Sequence, residues 1–193
     1  MKIYIKTFLG GILAATGSLI LEAVFLAMVS IIKGEPTNNV GLYFIVLAAL
    51  IEETLKYATL KKTLRADLES GKIILSSLFL GAGFAFLEII FHSFGSFSLS
   101  KDLLSTYLGI FLLHCLTAVI LGWYLSFSKH SLKISWFFWA IAVFLHACFN
   151  LAIFYEFSYF VLNAILVIGL FFLALRIKIS RRSLPSAKKS TII

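Results

Sequence analysis

Glu52 and Glu53 adjoin each other inside GLYFIVLAALIEETLKYATL, and Lys56 follows within one helical turn. Glu88 lies in LFLGAGFAFLEIIF, His114 in LGIFLLHCLTAVILGWYL, and His146 in WFFWAIAVFLHACFNLAIF with Asn150 one turn later. In hydrocarbon a charged side chain costs ~2.5–3.5 kcal/mol even on the gentlest scale. Carboxylates and imidazoles held at that cost are the parts of a hydrolytic centre. A carboxylate activates water, and imidazoles bind a metal or stabilise a tetrahedral intermediate. Two histidines with one or two glutamates make a credible zinc set, although no His-Glu-x-x-His lies on one helix. A glutamate–histidine mechanism without metal uses the same residues.

The spacing sorts them further. Adjacent helical residues point about 100° apart, so Glu52 and Glu53 cannot share a direction. One faces the site while the other supports it or faces a neighbouring helix. Lys56 lies four residues after Glu52 and three after Glu53, within reach of either. A buried ion pair that merely aids packing would look similar, but one lysine does not balance two carboxylates. Phe84 and Glu88 share a face one turn apart. Gly81, Ala82, Gly83 and Ala85 before Glu88 allow another helix to come close. His114 stands alone, and a lone histidine on an apolar helix is more often core than ligand. His146 and Asn150 are in register, so the amide can orient the imidazole or donate to an oxyanion. His92 falls near a membrane boundary and reads as interfacial. Glu22, in LILEAVFLAMVS, belongs to no motif and reads as supporting at most.

These residues need helices to carry them. Of 193 residues 61% are hydrophobic and 13% charged, with 2 Pro and 20 Phe, and the mean hydropathy is +1.01. This is a polytopic membrane protein, and lipid admits only helices or closed barrels. Six stretches are long enough to span: 8–32, 41–60, 73–94, 103–127, 134–155 and 157–175. The expected fold is an all-α bundle of six membrane helices in one domain, with a basic tail over 176–193. The break near Tyr155–Glu156 is short, so the last two spans form a tight hairpin or the sixth does not fully cross. The apolar run after Lys2 and Lys6 exceeds a signal-peptide core and reads as a first span. At 1.5 Å per residue, Glu52, Glu88, His114 and His146 come ~16–22 Å into their spans, near the middle of a ~30 Å hydrocarbon layer.

The net charge of +8 does not signal nucleic acid. Every Lys and Arg except Lys33, Lys56 and Lys101 falls on the N-terminal tail, the second and fourth loops, or the C-terminal tail. That asymmetry puts both termini in the cytoplasm. Cys115 and Cys148 both lie in apolar segments beside a histidine and read as reduced core residues.

The ordered set Glu52-Glu53-x-x-Lys56, Phe84-x-x-x-Glu88, His114 followed by Gly122, and His146-x-x-x-Asn150 resembles the PrsW family of intramembrane proteases. That family is related to the CAAX prenyl proteases and bacteriocin-processing enzymes, which carry Glu-Glu-x-x-x-Arg, Phe-x-x-x-His and a later His-x-x-x-Asn-type motif. Lys56 stands one position earlier than that arginine, and Glu88 replaces the histidine; both differences favour the PrsW branch. Ile89 stands where PrsW-like proteins often carry Asn. The resemblance covers roughly residues 50–150. It implies peptide hydrolysis within the membrane and metal dependence, with zinc or another divalent ion if a metal is used. It also implies a membrane-anchored protein or peptide as substrate, an anti-sigma factor in the best-known case.

The sequence expectation is therefore an intramembrane endopeptidase of a prokaryotic inner membrane. Glu52 or Glu53 is the base and Lys56 tunes the pair. Glu88, His114 and His146 bind the metal, with Glu52 or Glu53, or stabilise the transition state, and Asn150 orients or donates. The rival reading is a proton- or ion-coupled transporter, which buried Glu/His chains also serve. Against it, the sequence has neither an internal repeat nor an inverted pair of broken helices. A haem carrier with His114 and His146 as axial ligands is a further rival.

Overall fold

The computed structural model describes residues 1–33, 41–64, 68–95, 101–127, 135–155, 157–158 and 162–170. They form α1 (Lys2–Lys33), α2 (Leu42–Thr63), α3 (Ser70–Gly95), α4 (Lys101–Phe127) and α5 (Ser135–Phe154), and a sixth helical stretch, α6, over 162–170. The expected basic tail, 176–193, and the ends of the expected sixth span lie outside the described residues. The architecture is all-helical. Four helices, α1, α3, α4 and α5, are long and apolar enough to cross a membrane on composition alone. α2 has 22 residues, ~33 Å of helix, and is set apart by its acids and lysines rather than by its length.

The interior is more polar than the rim. Glu53, Lys56, Ser76, Ser77 and Thr117 are fully buried, and His114 and His146 nearly so. The exposed positions include Leu13, Ile31, Phe86, Leu104 and Phe144. Water would reverse that distribution; a hydrocarbon solvent permits it, because an outward Leu loses nothing there while an outward charge does. Apart from Ser76, whose Oγ has no partner among the described residues, buried hydroxyls such as these are satisfied locally, Ser77 donating to the Ile73 carbonyl at 2.8 Å and Thr7 to the Tyr4 carbonyl at 3.0 Å.

The helices close into a ring in the order α1, α3, α4, α5, α2, with α2 also touching α4 across it. α4 is the most enclosed of the four apolar helices: 72% of its apolar window is buried, against 44% for α3, 22% for α5 and 17% for α1. Glycines allow this closeness. A side chain on Gly83 would run into the Phe8 carbonyl of α1, and one on Gly11 of α1 into the Leu80 carbonyl of α3. Gly81, about 200° around α3 from Gly83, abuts the backbone of His114 and Cys115 on α4. On α4, Gly122 accommodates Ser77. These contacts fix α3 against two neighbours at once, and with them the direction of Glu88. Gly83→Ala is expected to cost ~1–3 kcal/mol through overpacking, read as a lower unfolding midpoint in detergent. An unchanged midpoint would show that α1 and α3 are not locked there.

Cys115 is buried, but Cys148 is exposed and so is not the core residue expected from sequence. It follows His146 by two positions, about 200° around the helix. With His146 turned inward, Cys148 must face out.

Candidate active site

Four helices deliver the polar groups to one place. From α2, Glu53 turns between helices and Lys56 reaches across to α4. The Lys56 ammonium donates to Glu53 Oε1 at 2.6 Å and to His114 Nδ1 at 2.6 Å, and lies 3.4 Å from Thr117 Oγ1. It sits 4.4 Å over the Phe84 ring, a cation–π contact in a dry setting. Phe84 also packs on the His114 ring, with centroids 4.7 Å apart. Thus the first residue of the Phe-x-x-x-Glu pair forms a wall of the site, and the second, Glu88, meets His114 Nε2. Because an ammonium has only donors to offer, His114 Nδ1 accepts, which leaves Nε2 as the ring's donor to Glu88.

His146 enters from α5 with its ring edge-on to His114, centroids 5.1 Å apart. Its Nδ1 donates to Glu53 Oε1 at 2.7 Å. The imidazole is therefore oriented by Glu53. Asn150 lines the adjoining cavity instead. Holding Nδ1 on a carboxylate turns Nε2 toward the site, as in the carboxylate–histidine arrangement behind metal-binding imidazoles.

Glu52 completes the group. Only 8% exposed, it has an Oε2 that is buried without any hydrogen-bond partner. That oxygen lies 3.7 Å from His146 Nε2 and 4.0 Å from His114 Nδ1. One ligand atom from each of Glu52, His114 and His146 lies within 4.8 Å of the other two. An orphaned carboxylate oxygen facing two imidazoles at more than hydrogen-bond distance leaves room for an ion between them. The oxygen and nitrogen donors suit a divalent metal, so the residues fit one.

The chain matches the model of the PrsW family of intramembrane metalloproteases over residues 1–175. It belongs to that family. No curated protein and no solved structure matches it. Membership makes this PrsW-family chain a hydrolase embedded in the membrane that acts on protein substrates, and the buried Glu52, His114 and His146 group agrees with the metal dependence in the family's description. It also covers α1, which the sequence resemblance, drawn over roughly 50–150, left out.

The PrsW-family site opens into a cavity of about 600 Å³ whose walls include Glu22, Glu52, Phe84, Glu88, His92 and Asn150. All the motif residues thus converge, but unequally. Glu52, Glu88 and Asn150 reach the cavity, whereas Glu53 and Lys56 are sealed behind it with no exposed surface. His92 is exposed and lines the outer part of the cavity. One contributor, Thr117, was missed from sequence, and Glu22 was ranked only as supporting. Thr117 was legible as the residue one turn from His114 on the same face; Glu22 carried no motif signal.

Proposed function

We propose that Glu52, His114 and His146 hold one divalent ion, zinc being the best fit to this donor set, and that Glu88 is the proton acceptor. The observation that carries this reading is the unpartnered Glu52 Oε2 between two imidazoles. The assignment moves Glu88 from the expected metal set to the base, and gives Glu52 the ligand role that the sequence expectation held open beside its role as base. Burial argues against Glu53 as the base: its Oε1 is already held by Lys56 and His146, and its side chain has no exposed surface. Glu88 touches the cavity with 24% of its side chain exposed.

A bound divalent ion would supply positive charge that polarises a peptide carbonyl and makes water more acidic. The chain's own groups do the rest. Glu88 takes the proton of the attacking water and returns it to the nitrogen of the departing amine, so the two halves of the reaction balance. His114 Nε2 holds Glu88 in place. The Asn150 amide, on the cavity wall, can donate to the carbonyl oxygen as negative charge develops there. Glu53 keeps His146 Nδ1 occupied, and Lys56 ties Glu53 on α2 to His114 on α4. His114 has neighbours on both ring nitrogens, so ion binding there exchanges one of these contacts.

The substrate class is a membrane-associated protein. The Lys and Arg distribution supports cytoplasmic termini, as expected from sequence for a prokaryotic inner membrane. The cavity walls come from the start of α2 and the ends of α3 and α5, with Phe44, Phe91 and Phe154 among them. With cytoplasmic termini these helix ends face the far side, so substrate reaches the site from outside.

The experiment is cleavage of a single-span reporter in proteoliposomes, with bound metal measured by mass spectrometry. Stripping with a membrane-permeant chelator should stop cleavage, and one equivalent of zinc per chain should restore it. His146→Ala should bind no stoichiometric metal and cut nothing while remaining folded. Full activity in protein shown to be metal-free would overturn the assignment.

A further inference from the structure

We infer that Glu22 sets substrate specificity by pairing with a lysine or arginine side chain of the substrate next to the bond that is cut. The inference rests on the hydrolase reading above and names what the cavity selects. Glu22 comes from α1, which supplies no other acid to the site, and it lines the same cavity as Glu52 and Glu88. Its Oε1 is buried without a hydrogen-bond partner. The nine-tenths-buried Glu52 also turns an unpartnered oxygen into this site, so the cavity holds two acceptors that the protein itself does not satisfy.

Charge decides what the second one takes. Among the described residues no lysine or arginine lines the cavity. Lys56, the cation behind it, is committed to Glu53 and His114. A divalent ion offsets two negative charges, those of Glu52 and Glu88. Glu22 then faces a membrane-embedded cavity without a counter-ion among the described residues, a setting in which its carboxyl is neutralised by a proton or paired by an arriving cation. A substrate side chain can bring one. Lysine and arginine have long apolar stems that lie along hydrocarbon walls while the head reaches a polar partner, and Leu19, Phe44 and Phe91 provide such walls. The volume, about 600 Å³, admits a peptide segment with one long side chain.

The test uses single-span peptides, each a matched pair in which one position carries lysine or its neutral counterpart norleucine, with that position walked along the segment. They are presented to the metal-loaded protein in nanodiscs of phosphatidylglycerol alone, so that no lipid ammonium group competes. Cleavage is followed as kcat/KM, and binding by energy transfer at 4 °C. The wild type should favour lysine at one position by about tenfold, equivalent to ~1.4 kcal/mol. Glu22→Gln should shrink that ratio to about twofold or less, and Glu22→Lys should invert it, favouring norleucine over lysine at the same position. A lysine preference that persists in Glu22→Gln, or a wild type that binds and cuts both members of every pair alike, overturns the inference. If nothing is cut but the binding ratio follows Glu22, the hydrolase reading falls and the pairing stands.

Discussion

Glu52→Gln is expected to lose both the metal and the activity: bound zinc well below one per chain, and kcat/KM down by ~10³-fold or more, since ligand loss removes the ion's whole contribution. The substitution is nearly isosteric, so the fold should remain. It replaces an oxygen with two N–H donors that point at His146 Nε2 and His114 Nδ1, 3.7 and 4.0 Å from the present Oε2. A Gln amide can turn its carbonyl inward, but it ligates weakly and without charge. Glu88→Gln forms the contrast. It should keep one metal per chain and lose ~10²–10⁴-fold in kcat, the usual worth of a positioned general base. The two variants together separate ligand from base. If Glu88→Gln loses the metal while Glu52→Gln keeps it, the roles revert to those expected from sequence. If both variants cleave normally, neither carboxylate serves the reaction and the site assignment falls.

The sequence exposed which polar groups gather inside the bundle better than how they are wired. Glu52, Glu88, His114 and His146 stood out because each was too costly to leave in hydrocarbon without a partner, and their similar depths followed from residue counts at 1.5 Å each. Which group meets which depends on how each helix is rotated about its own axis. For α3 that rotation is set by Gly83 against Phe8 and Gly81 against His114; the small residues signalled close packing in the sequence but not which helix each one meets. Glu53 and Lys56 show the same limit. Their spacing allowed Lys56 to serve either glutamate, and only the direction in which α2 faces α4 and α5 gives it to Glu53 and His114. Asn150 was in register with His146 as the spacing required, yet the ring is held by Glu53 from another helix. Glu22 was the hardest to judge, since nothing local distinguishes an acid facing a cavity from one facing a headgroup. The helix ends were hidden for a simpler reason. Hydropathy stops at the first lysine or glycine, whereas the backbone of α3 continues to hydrogen-bond from Ser70 and that of α1 from Lys2.

Lys56→Met should destabilise the protein by ~3–5 kcal/mol, because it strands the buried Glu53 carboxylate without its cation. Methionine matches the lysine stem in length, so the packing against Phe84 changes little while the charge disappears. The expected readout is a large fall in the unfolding midpoint, or loss of folded protein from the membrane. The informative companion is Glu53→Gln in the same chain. With both charges gone no ion is left unpaired, and the double variant should regain most of the lost stability, as buried pairs replaced together often do. It should not regain activity. His146 would lose the charged acceptor that orients its Nδ1, and His114 the donor on its own Nδ1, so both imidazoles would be free to turn. A folded, inactive double variant that binds metal poorly would show that Lys56 and Glu53 act by positioning the two histidines. Equal stability of Lys56→Met and wild type would mean that Glu53 does not depend on this ammonium, and the α2–α4 link built on it would be wrong.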